Sequence, residues 1–195
     1  ARGFPAIAQN APLRIGCITT LSGAAGILGR PQRLGMELAA KKINAAGGIL
    51  GRRIEIVVRD DQSRPNDAVA AVRELAGNGV KIFAGVLASP VALAISGIAE
   101  ELDSVFLNAA SHGNNLTHED FRKNYFRVSD YSAMRISAAC RLMAERYPEV
   151  TKWGAIIPDA EIGRSTIATF RAGMPRYYRQ IANKVNNSTL SIEQI

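Results

Sequence analysis

The amino-acid sequence predicts an α/β fold of the doubly wound, parallel-sheet kind, and three observations carry that expectation. Short apolar runs alternate regularly with stretches of helical periodicity. The first run joins the first helix through a glycine-rich turn and a second run follows, which makes a βαβ unit. The alternation breaks near Arg127 to Asp130 and then resumes, as when a chain leaves one sheet and begins another.

Leu13-Arg14-Ile15-Gly16-Cys17-Ile18-Thr19 is the first strand, and the loop from Ser22 to Gly29 follows it. The next helix ends in Asn44-Ala45-Ala46-Gly47-Gly48-Ile49-Leu50-Gly51-Arg52-Arg53. Ile54 to Val58 is the second strand, closed by Asp60-Asp61. Pro65 opens a helix to about Ala76, because proline at the first helical position has no hydrogen bond to lose. Val69, Val72 and Ala76 share one face of it. Lys81 to Val86 is the third strand. Ser89-Pro90 starts a helix through about Leu102, and Val105-Phe106-Leu107 is the fourth strand. After the loop from Asn108 to His118, Tyr125 to Val128 reads as a short strand at a crossover. Tyr131 to Tyr147 reads as a helix, Trp153 to Ile157 as a strand and Glu161 to Met174 as a helix. Arg176 to Ile195 is polar and Asn-rich. The expected divisions are a processing remnant and linker over residues 1–12, a ligand-binding lobe over 13–127 and a partial second lobe over 128–195. One good strand in that second lobe cannot close a sheet of its own.

With 195 residues, 47% of them hydrophobic and 21% charged, the chain can bury a core and is not of disordered composition. No apolar run approaches the ~20 residues needed to span a bilayer. The net charge of +7 is scattered in runs no longer than two, unlike the clustered stripe of a nucleic-acid binder. Cys17 and Cys140 both lie among apolar neighbours, which predicts two free buried thiols and no bridge. Neither a CxxC nor another metal-ligand cluster is present, and no cofactor is expected. At the amino end, Ala6-Ile7-Ala8 before a polar linker has the form of a signal-peptidase site, with Gln9 as the mature start.

Two loops offer chemistry. Ser89 is a good helix N-cap and Pro90 suits the next position. The first-turn amides near Val91 and Ala92 then point outward with the positive helix end, where a carboxylate or phosphate would bind. Plain capping without a ligand is the competing reading. The loop Asn108-Ala109-Ala110-Ser111-His112-Gly113 leaves the neighbouring strand end. Its small residues admit a ligand to the backbone carbonyls, and His112 can add a hydrogen bond or merely be solvated.

The remaining motifs are weaker. The first turn has the spacing Gly23-x-x-Gly26-x-x-Gly29, one residue wider than a dinucleotide fingerprint; tight turning and helix packing explain it as well. Asp60 and Asp61 suit helix capping and turn formation better than metal binding. A triad of Ser89, His112 and Asp60 lacks the G-x-S-x-G elbow of a hydrolase, so no catalytic residue is assigned.

Several segments together resemble one family. I-G-C-I-T-T-L-S-G (15–23), I-N-A-A-G-G-I-L-G-R-R (43–53), I-E-I-V-V-R-D-D-Q-S-R-P (54–65), I-F-A-G-V-L-A-S (82–89) and N-A-A-S-H-G-N-N-L-T (108–117) are similar to the type I periplasmic substrate-binding proteins of branched-chain amino acid ABC transporters. N-Y-F-R-V (124–128) and W-G-A-I-I-P-D-A-E-I-G-R-S (153–165) extend the likeness, which covers about Pro12 to Met174. The resemblance implies a two-lobed fold, its first lobe largely present and its second partial, and a non-enzymatic exported receptor. Such a receptor captures an amino acid or related small carboxylate or amide between its lobes and delivers it to a membrane permease, without nucleic acid. It implies that Ser89 with nearby amides from Ala88 onward holds the ligand carboxylate, and that the loop Ala110-Ser111-His112 serves its ammonium group. It also places Leu28 and Ile162 along the pocket. His112 replaces a threonine of the amino-acid binders, and Leu28 and Ile162 replace aromatics, so a branched-chain amino acid is not assured as ligand. Residues Phe126 to Asp130 would form one hinge strand. The alternatives are a nucleotide-dependent enzyme on a Rossmann-type sheet and a cytoplasmic ligand-sensing regulator of the same fold.

Overall fold

The computed structural model describes residues 11–150, 152–157, 159 and 161–185. The proposed processing site at Ala6 to Ala8 lies outside the described residues. Five strands, β1 (Leu13–Thr19), β2 (Ile54–Asp60), β3 (Ile82–Gly85), β4 (Val105–Asn108) and β5 (Tyr125–Arg127), form one sheet in the order β2-β1-β3-β4-β5. Every pairing is parallel, with Ile15 opposite both Ile56 and Ile82. The connecting helices are α1 (Gly26–Ala45), α2 (Pro65–Gly77) and α3 (Ser89–Ala99). The step from β1 to β2 runs one way along the sheet, and the steps to β3 and β4 run the other way. Right-handed crossovers therefore put α1 on one face and α2 with α3 on the other. Accordingly α1 packs on β1 and β2, while α2 packs beside α3.

The chain forms two compact units. The first holds the described residues up to Ser111 together with Asp120–Ser129; the second holds His112–Glu119 and Asp130 onward. In the first unit Ile18, Val72, Phe83, Val86, Val91, Ile95 and Phe106 are fully buried. Their removal from water on both sides of the sheet supplies its main stabilisation. Pro65 sits in the first turn of α2, as its missing N–H dictates.

The second unit contains α4 (Ser132–Arg146), α5 (Glu161–Val185) and a 3-10 turn, Asn115–Thr117. Cys140 and Ala144 of α4 pack against Met174 and Tyr178 of α5. The Trp153 ring meets Phe170 edge-on at 6.3 Å, and the Tyr178 hydroxyl donates to the Val150 carbonyl at 2.6 Å.

Two expectations are corrected here. Trp153 to Ile157 is not a strand, and Ile156 is fully exposed. A strand is held by a ladder, and no strand among the described residues of this unit can supply one. The last helix does not stop at Met174 but continues through Pro175 to Val185. Met174, Tyr177, Tyr178 and Ile181 keep helical spacing beyond the proline. The carbonyl that Pro175 leaves without a donor belongs to exposed Arg171, where water can serve it.

Candidate functional site

In a sheet of this order the direction of winding reverses between β1 and β3. Loops leaving the carboxyl ends of the strands there diverge and open a crevice. Three loops matter: those after β1, β3 and β4.

The β3 end is sharply bent. Gly85 has φ +115° and Val86 has φ +68°. A Cβ on Gly85 would stand 2.5 Å from the Ile18 carbonyl oxygen, so only glycine fits. Val86 is β-branched at positive φ, which is strained; its amide donates to Ile18 at 2.7 Å and holds it there. Strain of this kind gathers at ligand clamps. The bend leads through Leu87 and Ala88 into α3. The N-cap of α3 is Ala88, not Ser89, and no side chain caps it. Ser89 is already helical, and the Ala92 amide is committed to the Ala88 carbonyl at 3.0 Å. Of the two amides expected to face outward, that of Ala92 is therefore taken up within the helix. Ser89 is buried, and its hydroxyl accepts a hydrogen bond from the Ser111 hydroxyl at 3.0 Å.

Asn108 builds the β4 loop. Its fully buried amide donates to the Ser111 carbonyl and to the Tyr125 hydroxyl, each at 2.7 Å, and accepts from the Ser111 amide at 2.9 Å. The loop thereby folds back over the strand end, which brings Ser111 to Ser89. Sequence reasoning named this loop but missed Asn108 as its organiser. The available signal was an asparagine closing a strand before small residues, the setting of an Asx turn.

The Asp60-Asp61 pair anchors the β1 loop. The Asp60 carboxylate accepts from the Leu21 and Gln62 amides, both at 2.9 Å. Burial pushes its carboxyl up, but the bonds from Leu21, Gln62 and Ser22 outweigh this and hold it below the ordinary aspartate value. Fully buried Asp61 accepts from the Thr20 hydroxyl at 2.5 Å and the Ser63 amide at 2.9 Å. Turn formation is as expected. Capping of α2 is not, since Arg64 is its N-cap without a side-chain bond. The pair ties two loops together instead. From the other side, α1 approaches so closely that a Cβ on Gly29 would meet the Thr20 carbonyl oxygen at 1.7 Å.

In the second unit, His112 Nδ1 lies 2.9 Å from the Asp130 carbonyl oxygen. The His112 carbonyl accepts from the Ser132 amide at 3.0 Å, and Asn114 Oδ1 accepts from the Ala133 amide at 3.0 Å. The amino end of α4 is thus satisfied by the loop at 112–114, a role for His112 that sequence reasoning missed. Ile162 is half-buried in the first turn of α5. In the first unit Ala88 and Ala110 are half-buried at their strand ends, and Leu28 is 63% exposed on α1. Of the sequence-predicted residues, the structure brings Ser89 and Ser111 into direct contact.

Among the described residues, no cluster of three or more His, Cys, Asp or Glu is placed to hold a metal ion. No described helix is long and apolar enough to cross a membrane. Both cysteines are free and buried, and burial raises the Cys17 thiol to about 11, with Glu37 adding to it. Two open concavities, of about 570 and 580 Å3, lie beside Glu37, Lys41 and Arg53 and beside Arg14, Arg52 and Lys81. Neither includes a predicted site residue.

A family model for periplasmic binding proteins matches residues 12–185. The chain belongs to the periplasmic binding protein family. Among curated relatives, a Leu/Ile/Val-binding protein homolog of Brucella melitensis is 32% identical over 65% of this chain and 34% of its own length. A leucine-, isoleucine-, valine-, threonine- and alanine-binding protein of Pseudomonas aeruginosa is 28% identical over 86% of this chain and 44% of its own. The chain therefore spans between a third and a half of the length of these relatives. Solved structures share the fold. A solute-binding protein of an ABC transporter from Rhodopseudomonas palustris, in complex with 3,4-dihydroxybenzoic acid, aligns with a TM-score of 0.77 at 20% identity over 87% of this chain and 45% of its own. A branched-chain amino acid transporter binding protein from Streptococcus pneumoniae, in complex with isoleucine, aligns at 0.73 with 21% identity over 83% of this chain and 46% of its own.

Proposed function

We propose that this protein is an exported solute receptor that binds an amino acid or a related small carboxylate and delivers it to an ABC transporter permease. The observation that carries the reading is the Ser111–Ser89 hydroxyl pair at the amino end of α3, beside the switch in winding direction. Ser89 of that pair stands in the first turn of α3. Together with the Val91 amide and the positive end of the helix dipole, it suits a carboxylate. The loop Ala110-Ser111 would serve the rest of the ligand, with Leu28 along its side chain.

Family membership supports the reading, as do relatives whose names specify aliphatic amino acids and fold neighbours solved with isoleucine or a hydroxybenzoate. A Rossmann-type cofactor site draws less support. Gly26 and Gly29 face the Leu21 and Thr20 carbonyls of their own loop, so they serve helix packing and not a phosphate. A thermal-shift screen of amino acids, benzoates and dinucleotides tests this. A rise in melting temperature with at least one amino acid or benzoate, diminished in Ser89→Ala, is expected. Stabilisation by a dinucleotide alone would overturn it.

A further inference from the structure

The amino ends of the strands lie at the opposite end of the sheet from the crevice, and there α1 passes into β2 through a short hairpin. The Ile49 and Arg52 backbones exchange hydrogen bonds of 2.9 Å in both directions, which leaves Leu50 and Gly51 as a two-residue turn. Both have positive φ, +51° and +76°, the signature of a type I′ turn, which favours asparagine, aspartate or glycine. Leucine there is strained. Its side chain is 93% exposed, so no packing within the unit offsets the strain. The hairpin is braced: the Gly48 amide donates to the Ile43 carbonyl at 2.9 Å, and the Arg52 guanidinium donates to the Ala11 and Pro12 carbonyls at 2.9 and 3.2 Å. Ile43 and Ile49 are exposed as well. Lys41 and Lys42 end α1, and Arg53 follows the hairpin. All three cations are exposed, and none has a carboxylate partner among the described residues. Lys41 and Arg53 line the same concavity. The acids at this end are Glu37, paired with Arg33 at 3.5 Å, and Glu55.

We infer that this end of the first unit is a docking surface for an anionic lipid bilayer. Leu50 enters the boundary between headgroups and acyl chains, while Lys41, Lys42 and Arg53 meet lipid phosphates. The shape of the surface decides between partners. Its apolar element is a projecting tip and not a groove, so it fits a soft surface that yields around it; a folded acidic protein would need a matching pocket. The cations alone explain attraction to any polyanion, but not a leucine at a turn position where asparagine is less strained. Docking at this end leaves the crevice at the other end of the sheet open to solution. The inference does not depend on which solute the crevice binds.

Vesicle flotation of the full-length protein tests this. Vesicles of phosphatidylglycerol mixed with phosphatidylcholine should carry the protein upward, and vesicles of phosphatidylcholine alone should not. Leu50→Asn should weaken binding to the mixed vesicles about tenfold. Its melting temperature should hold or rise, because asparagine tolerates positive φ. The triple variant Lys41→Gln, Lys42→Gln, Arg53→Gln should lose about a hundredfold. A control with the same change in charge on α5, Arg171→Gln, Arg176→Gln, Arg179→Gln, should lose less than about threefold, since distant charges are screened. Equal binding of wild type and Leu50→Asn would overturn the inference, as would equal losses in the two triple variants or no binding to the mixed vesicles. Binding to soluble polyglutamate with the same dependence on Leu50 would also overturn it, by reassigning the surface to an acidic protein.

Discussion

Replacing Asn108 with alanine should be among the most damaging single changes in the first unit. The Asn108 amide is fully buried and makes three close bonds, two as donor at 2.7 Å and one as acceptor at 2.9 Å. Alanine would strand the Ser111 amide, the Ser111 carbonyl and one bond of the Tyr125 hydroxyl. A buried polar group left without its partner costs about 1–3 kcal/mol. The Tyr125 hydroxyl keeps a second partner in Arg127 Nε at 3.2 Å, so its share is small. The two Ser111 groups then set the loss at roughly 3 kcal/mol, which for a chain of this size lowers the melting temperature by about 6–12 °C. Tyr125→Phe removes both the Asn108 bond and the Arg127 bond to the hydroxyl and should cost about 1–2 kcal/mol. Urea unfolding followed by circular dichroism measures both. An Asn108→Ala variant within about 0.5 kcal/mol of wild type would refute the claim that this side chain holds the β4 loop.

Further outcomes follow from other contacts. Gly29→Ala places a Cβ 1.7 Å from the Thr20 backbone oxygen and should lower stability by several kcal/mol, seen as loss of the cooperative thermal transition. The Asp60 carboxyl is held below its ordinary value of 3.8. Its contribution to stability is therefore present above that value and lost as pH falls through the lower folded value, so Asp60→Asn should flatten the acid limb of the stability–pH curve. Cys17, fully buried and raised to about 11, should resist alkylation at pH 8 until the protein unfolds. Ser89→Ala should weaken any bound carboxylate by roughly 1–3 kcal/mol in calorimetry, and an unchanged affinity would remove Ser89 from the site.

The alternation of apolar strands and amphipathic helices was enough to place all five strands of the sheet and the starts of α2 and α3, because each burial pattern is local, whereas α1 begins at Gly26, inside the stretch read as a loop. What was not legible depended on partners distant in sequence. Trp153 to Ile157 has the composition of a strand, but a ladder needs a neighbour that a local pattern cannot reveal. The last helix reads from sequence as ending at Met174, whereas packing of Met174 and Tyr178 on Cys140 and Ala144 accompanies its continuation across Pro175. At the site, Ser89 and Ser111 were named from loop position, and the structure shows them bonded. The scaffolding behind them is a set of contacts spanning 17 to 41 residues, such as Asn108 to Tyr125 and Thr20 to Asp61, and no motif announces it.

The most direct test is a crystal structure of the full-length protein grown with the tightest ligand from the thermal-shift screen. The account predicts a ligand carboxylate within hydrogen-bonding distance of Ser89 Oγ and the Val91 amide. Density for that ligand at the glycine turn after β1, with the amino end of α3 untouched, would contradict it.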